Sequence, residues 1–334
     1  MKRSFLLVLL VFLFSGLSAQ PGPSASSAIN YELTVYVIPP SVKYDWSSPH
    51  SLYHSFIRNY TRNLMNKHRY VLGHAFVELE SQSSGERILT GMRSVDREEQ
   101  KQKVFDERYG LAILGTDLRG KLDHPEELED KMERYTRKGD MAFIRFIISE
   151  PAYNRMVWFY ESYKARLDSL GDTCQCYSGA FWPRYYGEGS GCSAFVLSMM
   201  QLGGLLPEEF GQWRVEINIP KDLMGGPYNE GYEVRFKDIN HRMNWGREPE
   251  KPGVDYEPFW IYDPTLIYEW VLKEYEQPSQ LENMTVTPVN IGKAKGIEMD
   301  ARNVPVPDDE IFKHRSEKSI FIDNYNNELK LKGN

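Results

Sequence analysis

Cysteine is scarce: Cys174, Cys176 and Cys192 are the only three in a chain of 334 residues. So few exclude the dense disulfide framework that staples small secreted domains. Their odd number leaves at least one thiol free unless it pairs with another molecule. Long apolar runs are missing after the N-terminus, so the mature protein is expected to carry no transmembrane span, which takes about 20 apolar residues. A basic excess is missing too, with 40 Lys and Arg against 47 Asp and Glu. That balance argues against a general nucleic-acid binder. His50, His54, His68, His124, His241 and His314 have no metal-ligand spacing with carboxylates and read as surface or loop residues. Cys174-Gln175-Cys176 lacks the second ligand pair of a zinc site and departs from the redox Cys-x-x-Cys spacing. Neither metal nor cofactor is expected, and no internal repeat is visible.

The N-terminus does carry a signal. Lys2 and Arg3 precede an apolar run from Phe5 to Phe14, and small residues lead to Ala19. This is the three-part layout of a secretory signal peptide, so residues 1–19 are expected to be cleaved near Ala19 and the protein to be periplasmic or secreted. No cysteine lies there to carry a lipid. Residues 20–29 read as a polar linker. The roughly 310 residues left after cleavage suit one large domain with insertions or two small ones.

Periodicity predicts a strand over 31–38, stopped by Pro39 and Pro40, and a helix from Ser48-Pro49 to about 64. Residues 70–80 and 86–93 read as a hairpin around the loop 81–85. Residues 95–140 are strongly charged and read as a solvated excursion with a helix over 124–137. A strand over 141–149, a helix over 151–170 and an apolar helix over 192–202 follow, with strands at 214–219 and 259–262. Past 300 the chain turns polar, as a surface wrap or a loose tail. Asn59-Tyr60-Thr61 and Asn283-Met284-Thr285 match the glycosylation pattern, which is common by chance.

Two segments could carry chemistry. In Gly73-His74-Ala75-Phe76-Val77-Glu78-Leu79-Glu80, strand alternation sends Ala75, Val77 and Leu79 to the core and His74, Phe76, Glu78 and Glu80 to the other face. The imidazole is then held on a rigid strand yet reachable. In Gly189-Ser190-Gly191-Cys192-Ser193-Ala194-Phe195-Val196, a glycine-rich turn delivers a cysteine to the first turn of a helix. Unpaired N–H groups and the helix dipole there favour thiolate over thiol, and the same N–H groups can hold an oxyanion. A histidine base beside such a thiolate is what nucleophilic acyl transfer needs. The bland readings are a packed or disulfide-bonded Cys192 and a satisfied core His74. Trp182, Tyr185 and Tyr186, near the cysteine, read either as a substrate groove or as packing of the loop.

Together the two segments resemble the papain-like superfamily in its circularly permuted NlpC-like branch, whose arrangement lecithin retinol acyltransferase-like enzymes share. There, a Gly-His strand precedes the cysteine helix, as His74 precedes Cys192. The resemblance implies a thiol hydrolase or acyltransferase acting on an amide or ester of a cell-envelope substrate, a cell-wall peptide or a lipid acyl group. Cys192 is then the nucleophile and His74 the base. The third position stays open: Thr90 and Ser94 would lie opposite His74 if the hairpin turns near Ser83, and Glu78 shares its face. The expected fold is an α+β domain over 30–300, a central antiparallel sheet flanked by helices with a papain-like core, the insertion at about 95–140, and a polar extension over 301–334. The alternative is a non-catalytic exported binding protein on the same scaffold.

Overall fold

The computed structural model describes residues 30–65, 70–174, 176–281 and 284–332. The expected signal peptide with its cleavage point near Ala19, the expected linker over 20–29, His68 and Asn283 lie outside the described residues.

The chain opens with β1 (Tyr31–Ile38), α1 (Pro49–Met65) and the hairpin β2 (His74–Ser81) and β3 (Glu86–Ser94). Then come α2 (Arg97–Lys101), which runs on as a π-helical turn over Gln102–Asp106, the short β4 (Gly120–Leu122) and α3 (Pro125–Lys138). Next are β5 (Ala142–Ile148), α4 (Glu150–Ser169), α5 (Cys192–Leu202), β6 (Arg214–Pro220), α6 (Phe236–His241) and β7 (Tyr256–Tyr262). The last elements are α7 (Pro264–Glu276), β8 (Gln280–Leu281), β9 (Met284–Ile291), β10 (Ala294–Asp300) and α8 (Ile320–Lys332). Local chemistry accounts for the helix ends. Ser149 caps α4 by accepting from the Ala152 N–H, with a proline in the first turn. Gly139, at φ 81°, ends α3 in the left-handed conformation that glycine tolerates best.

Among the described residues an eight-stranded sheet runs in the order β4-β3-β2-β1-β5-β10-β9-β8, and β6 pairs with β7 apart from it. The sheet is mixed rather than antiparallel as expected. β10 lies parallel to β5, since the helices and the second ribbon between them form the crossover that parallel pairing requires. One face carries Leu33, Val35, Ala75, Val77 and Ile144 against α4, α5 and α7. The other carries Tyr36, Phe76 and Phe143 against Leu128 and Tyr135 of α3. No helix among the described residues is long and apolar enough to cross a membrane.

Two regions read as peripheral are integral. In the charged stretch 95–140, Leu111, Ala112, Leu118 and Leu128 are buried because its apolar residues face inward, and one of its charges, Asp123, is buried with them. The C-terminal stretch is a bonded strap. Buried Arg184 donates to Asp309 Oδ2 at 2.7 Å and to the carbonyls of Glu310 and Ile311. Arg315 grips both carboxylate oxygens of Glu188, at 2.6 and 2.8 Å. Phe321 and Tyr325 of α8 are buried. Asn59 is also committed: its buried amide exchanges hydrogen bonds with the Val42 backbone, which leaves no free nitrogen for a glycan in the folded state.

α5 is held by Phe195, which is fully buried against Phe159 and Tyr163 of α4. Phe195→Ala is expected to cost about 3–5 kcal/mol, read by urea unfolding. A loss below about 1 kcal/mol, the level of an ordinary surface change, would show that α5 is not anchored there.

Candidate active site

β2 begins at His74, so the imidazole stands at the end of the sheet, where the N-terminus of α5 arrives from the neighbouring layer. Cys192 stands beside His74 there, where the imidazole first and the Ala75 N–H next favour its thiolate. His74 Nε2 lies 2.8 Å from Asp123 Oδ2, which leaves Nδ1 as the nitrogen for the sulfur. The structure therefore brings Cys192, His74 and Asp123 into one chain of contacts.

Asp123 follows β4, the outermost strand of the sheet. Its N–H donates to the Gly91 carbonyl at 2.8 Å, which continues the β3–β4 ladder by one step. At the other end of β4, Gly120 exchanges backbone hydrogen bonds with Cys174, which fastens the loop before α5 to the sheet. A Cβ on Gly120 would fall 2.6 Å from Tyr177 Cβ. Glycine at 120 thus lets Tyr177 come in, and it lines the same cavity as Cys192, whose sulfur helps keep the phenol protonated. One three-residue strand sets both the carboxylate behind the histidine and the phenol beside the thiol.

Burial works against the His74 imidazolium, but the charge and hydrogen bond of Asp123, helped by Cys192, push its pKa up to about 9. Burial likewise disfavours the Asp123 carboxylate, and His74, Lys131 and Arg93 together hold it below the usual carboxylate range. Burial favours the neutral form of Cys192, yet the His74 hydrogen bond and charge, then the Ala75 N–H and Ser193, bring the thiol below its ordinary range. Burial and the neighbouring sulfur keep the Tyr177 phenol well above its usual value, so it stays a donor. The shifts of all three groups run in the direction that favours a thiolate–imidazolium pair backed by a carboxylate. Gly191 caps α5 without a side-chain hydrogen bond, so the first N–H groups of the helix have no intrahelical partner. The other two cysteines differ: Cys174 and Cys176 are buried free thiols pushed upward by burial, and Cys176 accepts from the Gly189 N–H.

His74 itself is sealed at 1% exposure, under the stacked ring of Tyr70 at 4.4 Å, and is not directly reachable as the strand pattern suggests. Access runs through the half-buried Cys192, which lines a partly open cavity of about 280 Å³. Its walls come from α1 (Tyr53, Phe56), the π-helical turn (Val104, Phe105), the stretch after it (Leu111, Leu114), α6 (Phe236) and β7 (Trp260, Ile261). Among the described residues Asp263 is the single acidic or basic side chain in the wall, and both its oxygens are engaged, by Trp46 Nε1 and the Thr265 N–H.

Several expected site residues lie elsewhere. Thr90 pairs opposite Val77, so its side chain belongs to the α4–α5 face and not to that of His74. Ser94 meets Gly120 on β4. Glu78 lies about 13 Å along the strand from His74 and is bound to the Tyr36 hydroxyl and Arg87. Trp182 is buried behind Trp260 and Tyr262, Tyr185 carries Arg315 over its ring, and Tyr186 is exposed beside Phe312 and His314. None of the three lines the cavity, because the strap pins their loop away from it. Asp123 escaped the sequence reading inside a run dense in charge, and the signal that could have found it is a lone carboxylate following the apolar alternation Leu118, Gly120, Leu122. The chain matches no family model, no curated protein and no solved structure.

Because the Cys192 pKa is depressed, its thiolate is populated at lower pH than a free thiol's. Iodoacetamide should alkylate Cys192 selectively, with a midpoint below the free-thiol value of about 8.5. A midpoint at or above that value, read by peptide mass mapping, would contradict the ion pair.

Proposed function

We propose that the chain is an exported thiol hydrolase or acyltransferase that takes a long apolar acyl group from an ester or amide. Cys192 is the nucleophile, His74 the acid–base and Asp123 the residue that orients it. The observation that carries this reading is the cavity beside the sulfur: its wall contains no Lys, Arg, His or Glu among the described residues. A polar wall-peptide or sugar would leave its hydrogen-bonding groups unpaired against such a lining, at a cost of about 1–3 kcal/mol each. An acyl chain instead gains about 0.8 kcal/mol per buried methylene. Of the cell-envelope substrates that the papain-like resemblance implies, the lining favours the lipid acyl group. The chain order His74, Asp123, Cys192, with the cysteine helix packed on the histidine strand, is consistent with the permuted NlpC-like arrangement.

In the reaction, the thiolate attacks the acyl carbonyl carbon and the C=O electron pair moves to oxygen. The free N–H groups of the first turn of α5 hold that oxyanion. His74 gives its proton to the departing alkoxide or amine, and a thioester on Cys192 remains. Water, or an acceptor hydroxyl or amine, then gives its proton to His74 and attacks the thioester, returning the thiolate. Asp123 keeps the imidazole in register and stabilises its charge through both halves.

p-Nitrophenyl palmitate should be turned over with a kcat/KM at least about tenfold above p-nitrophenyl acetate. A thioester adduct on Cys192 should appear by mass spectrometry and vanish in Cys192→Ala, and His74→Ala should lower turnover by about 10²- to 10⁴-fold. Equal rates for the two esters would remove the acyl-chain reading. Absence of any covalent adduct would favour the non-catalytic binding protein.

A further inference from the structure

We propose that Gly91 is a positioning residue that opens a gap in β3 for the Asp123 carboxylate to reach His74. The inference rests on the reading of Cys192, His74 and Asp123 as a working unit. Pairing sets Phe76 of β2 opposite Gly91, and the Asp123 N–H bonds the Gly91 carbonyl. Gly91 therefore stands between the histidine strand and the aspartate. A Cβ at 91 would lie 2.9 Å from Asp123 Oδ2, 2.8 Å from Phe76 Cβ and 3.2 Å from the Ala75 carbonyl oxygen. Oδ2 is the oxygen that meets His74 Nε2. Any side chain at 91 occupies space the carboxylate needs to cross the intervening strand.

Backbone conformation does not explain this glycine. Gly91 is absent from the residues with positive φ, so alanine can adopt its backbone angles. Only space forbids it. A competing explanation is close packing alone, since directly opposite Cβ atoms usually stand about 4.5–5.5 Å apart and a Cβ at 91 would crowd Phe76. The two explanations differ in what they do to the chemistry. Crowding against Phe76 lowers stability, whereas displacing Oδ2 removes the charge that holds His74 protonated and so raises the thiol pKa.

The test is the pH profile of iodoacetamide alkylation at Cys192 in the mature protein, for Gly91→Ala, Asp123→Asn and the double variant. Gly211→Ala serves as control, because a Cβ there meets nothing within 4 Å. Gly91→Ala and Asp123→Asn should each slow alkylation about tenfold at about pH 6, one pKa step, with the double variant no slower than Asp123→Asn and Gly211→Ala unchanged. A folded Gly91→Ala with the wild-type profile, or a double variant slower still, would overturn the role of Gly91. An unaltered profile for Asp123→Asn would overturn the underlying reading of the triad instead. Should Gly91→Ala fail to fold, Gly91→Ala/Asp123→Ala decides. Recovery of the fold without the carboxylate supports the gap, and continued unfolding assigns Gly91 to packing against Phe76 and ends the proposal.

Discussion

The side chains of His74 and Asp123 are almost entirely shut off from water, at 1% and 0% exposure. Neither charge has solvent to support it, so each depends on the other, and removing one partner of such a pair strands the survivor at a cost of several kcal/mol. Much of the local architecture follows from that dependence. β4 has to end where it does so that Asp123 follows it. Arg93 and Lys131 have to flank the carboxylate from outside, 3.4 and 3.9 Å from Oδ1. The imidazole that results is favoured as a cation, beside the sulfur of Cys192.

That polar constellation sits at the rim of an apolar cavity, and the combination has physical consequences. A low-dielectric surrounding strengthens each charge–charge contact, which helps a thiolate persist where burial alone would protonate it. The same surrounding offers a hydrocarbon chain a place to leave water. The strap over residues 301–319 contributes at a distance, since the Arg315–Glu188 and Arg184–Asp309 contacts lock the loop that delivers Gly191 and Cys192. The loop that leads into the glycine-rich turn is thereby tied to the strap by ion pairs, and its cysteines are free.

Much of the fold was legible where periodicity is local. β1, α1, the β2–β3 hairpin, α4 and α5 follow from alternation, proline and glycine punctuation, and capping residues. The parallel β5–β10 pair was not legible, because pairing across more than a hundred residues leaves no local trace. His74 and Cys192 stood out because glycines isolate them from their surroundings. Asp123 did not: its burial depends on Gly91, on Arg93 and on a strand of three residues, none of which has a recognisable period. The cavity escaped for a similar reason. Its walls come from α1, α2, α6 and β7, and aromatic residues scattered over two hundred positions converge only on folding. Trp182, Tyr185 and Tyr186, close to the cysteine in sequence, lie off the cavity, because nearness along the chain says little about which side of a pinned loop a ring occupies.

The central claim is that Asp123 holds His74 as an imidazolium through neutral pH. Nitrogen-15 NMR of the imidazole ring reads this directly. Both ring nitrogens should remain protonated as pH rises past neutrality, with the proton lost near the upshifted value of about 9. A His74 that titrates at the ordinary value of about 6.5 would contradict the account.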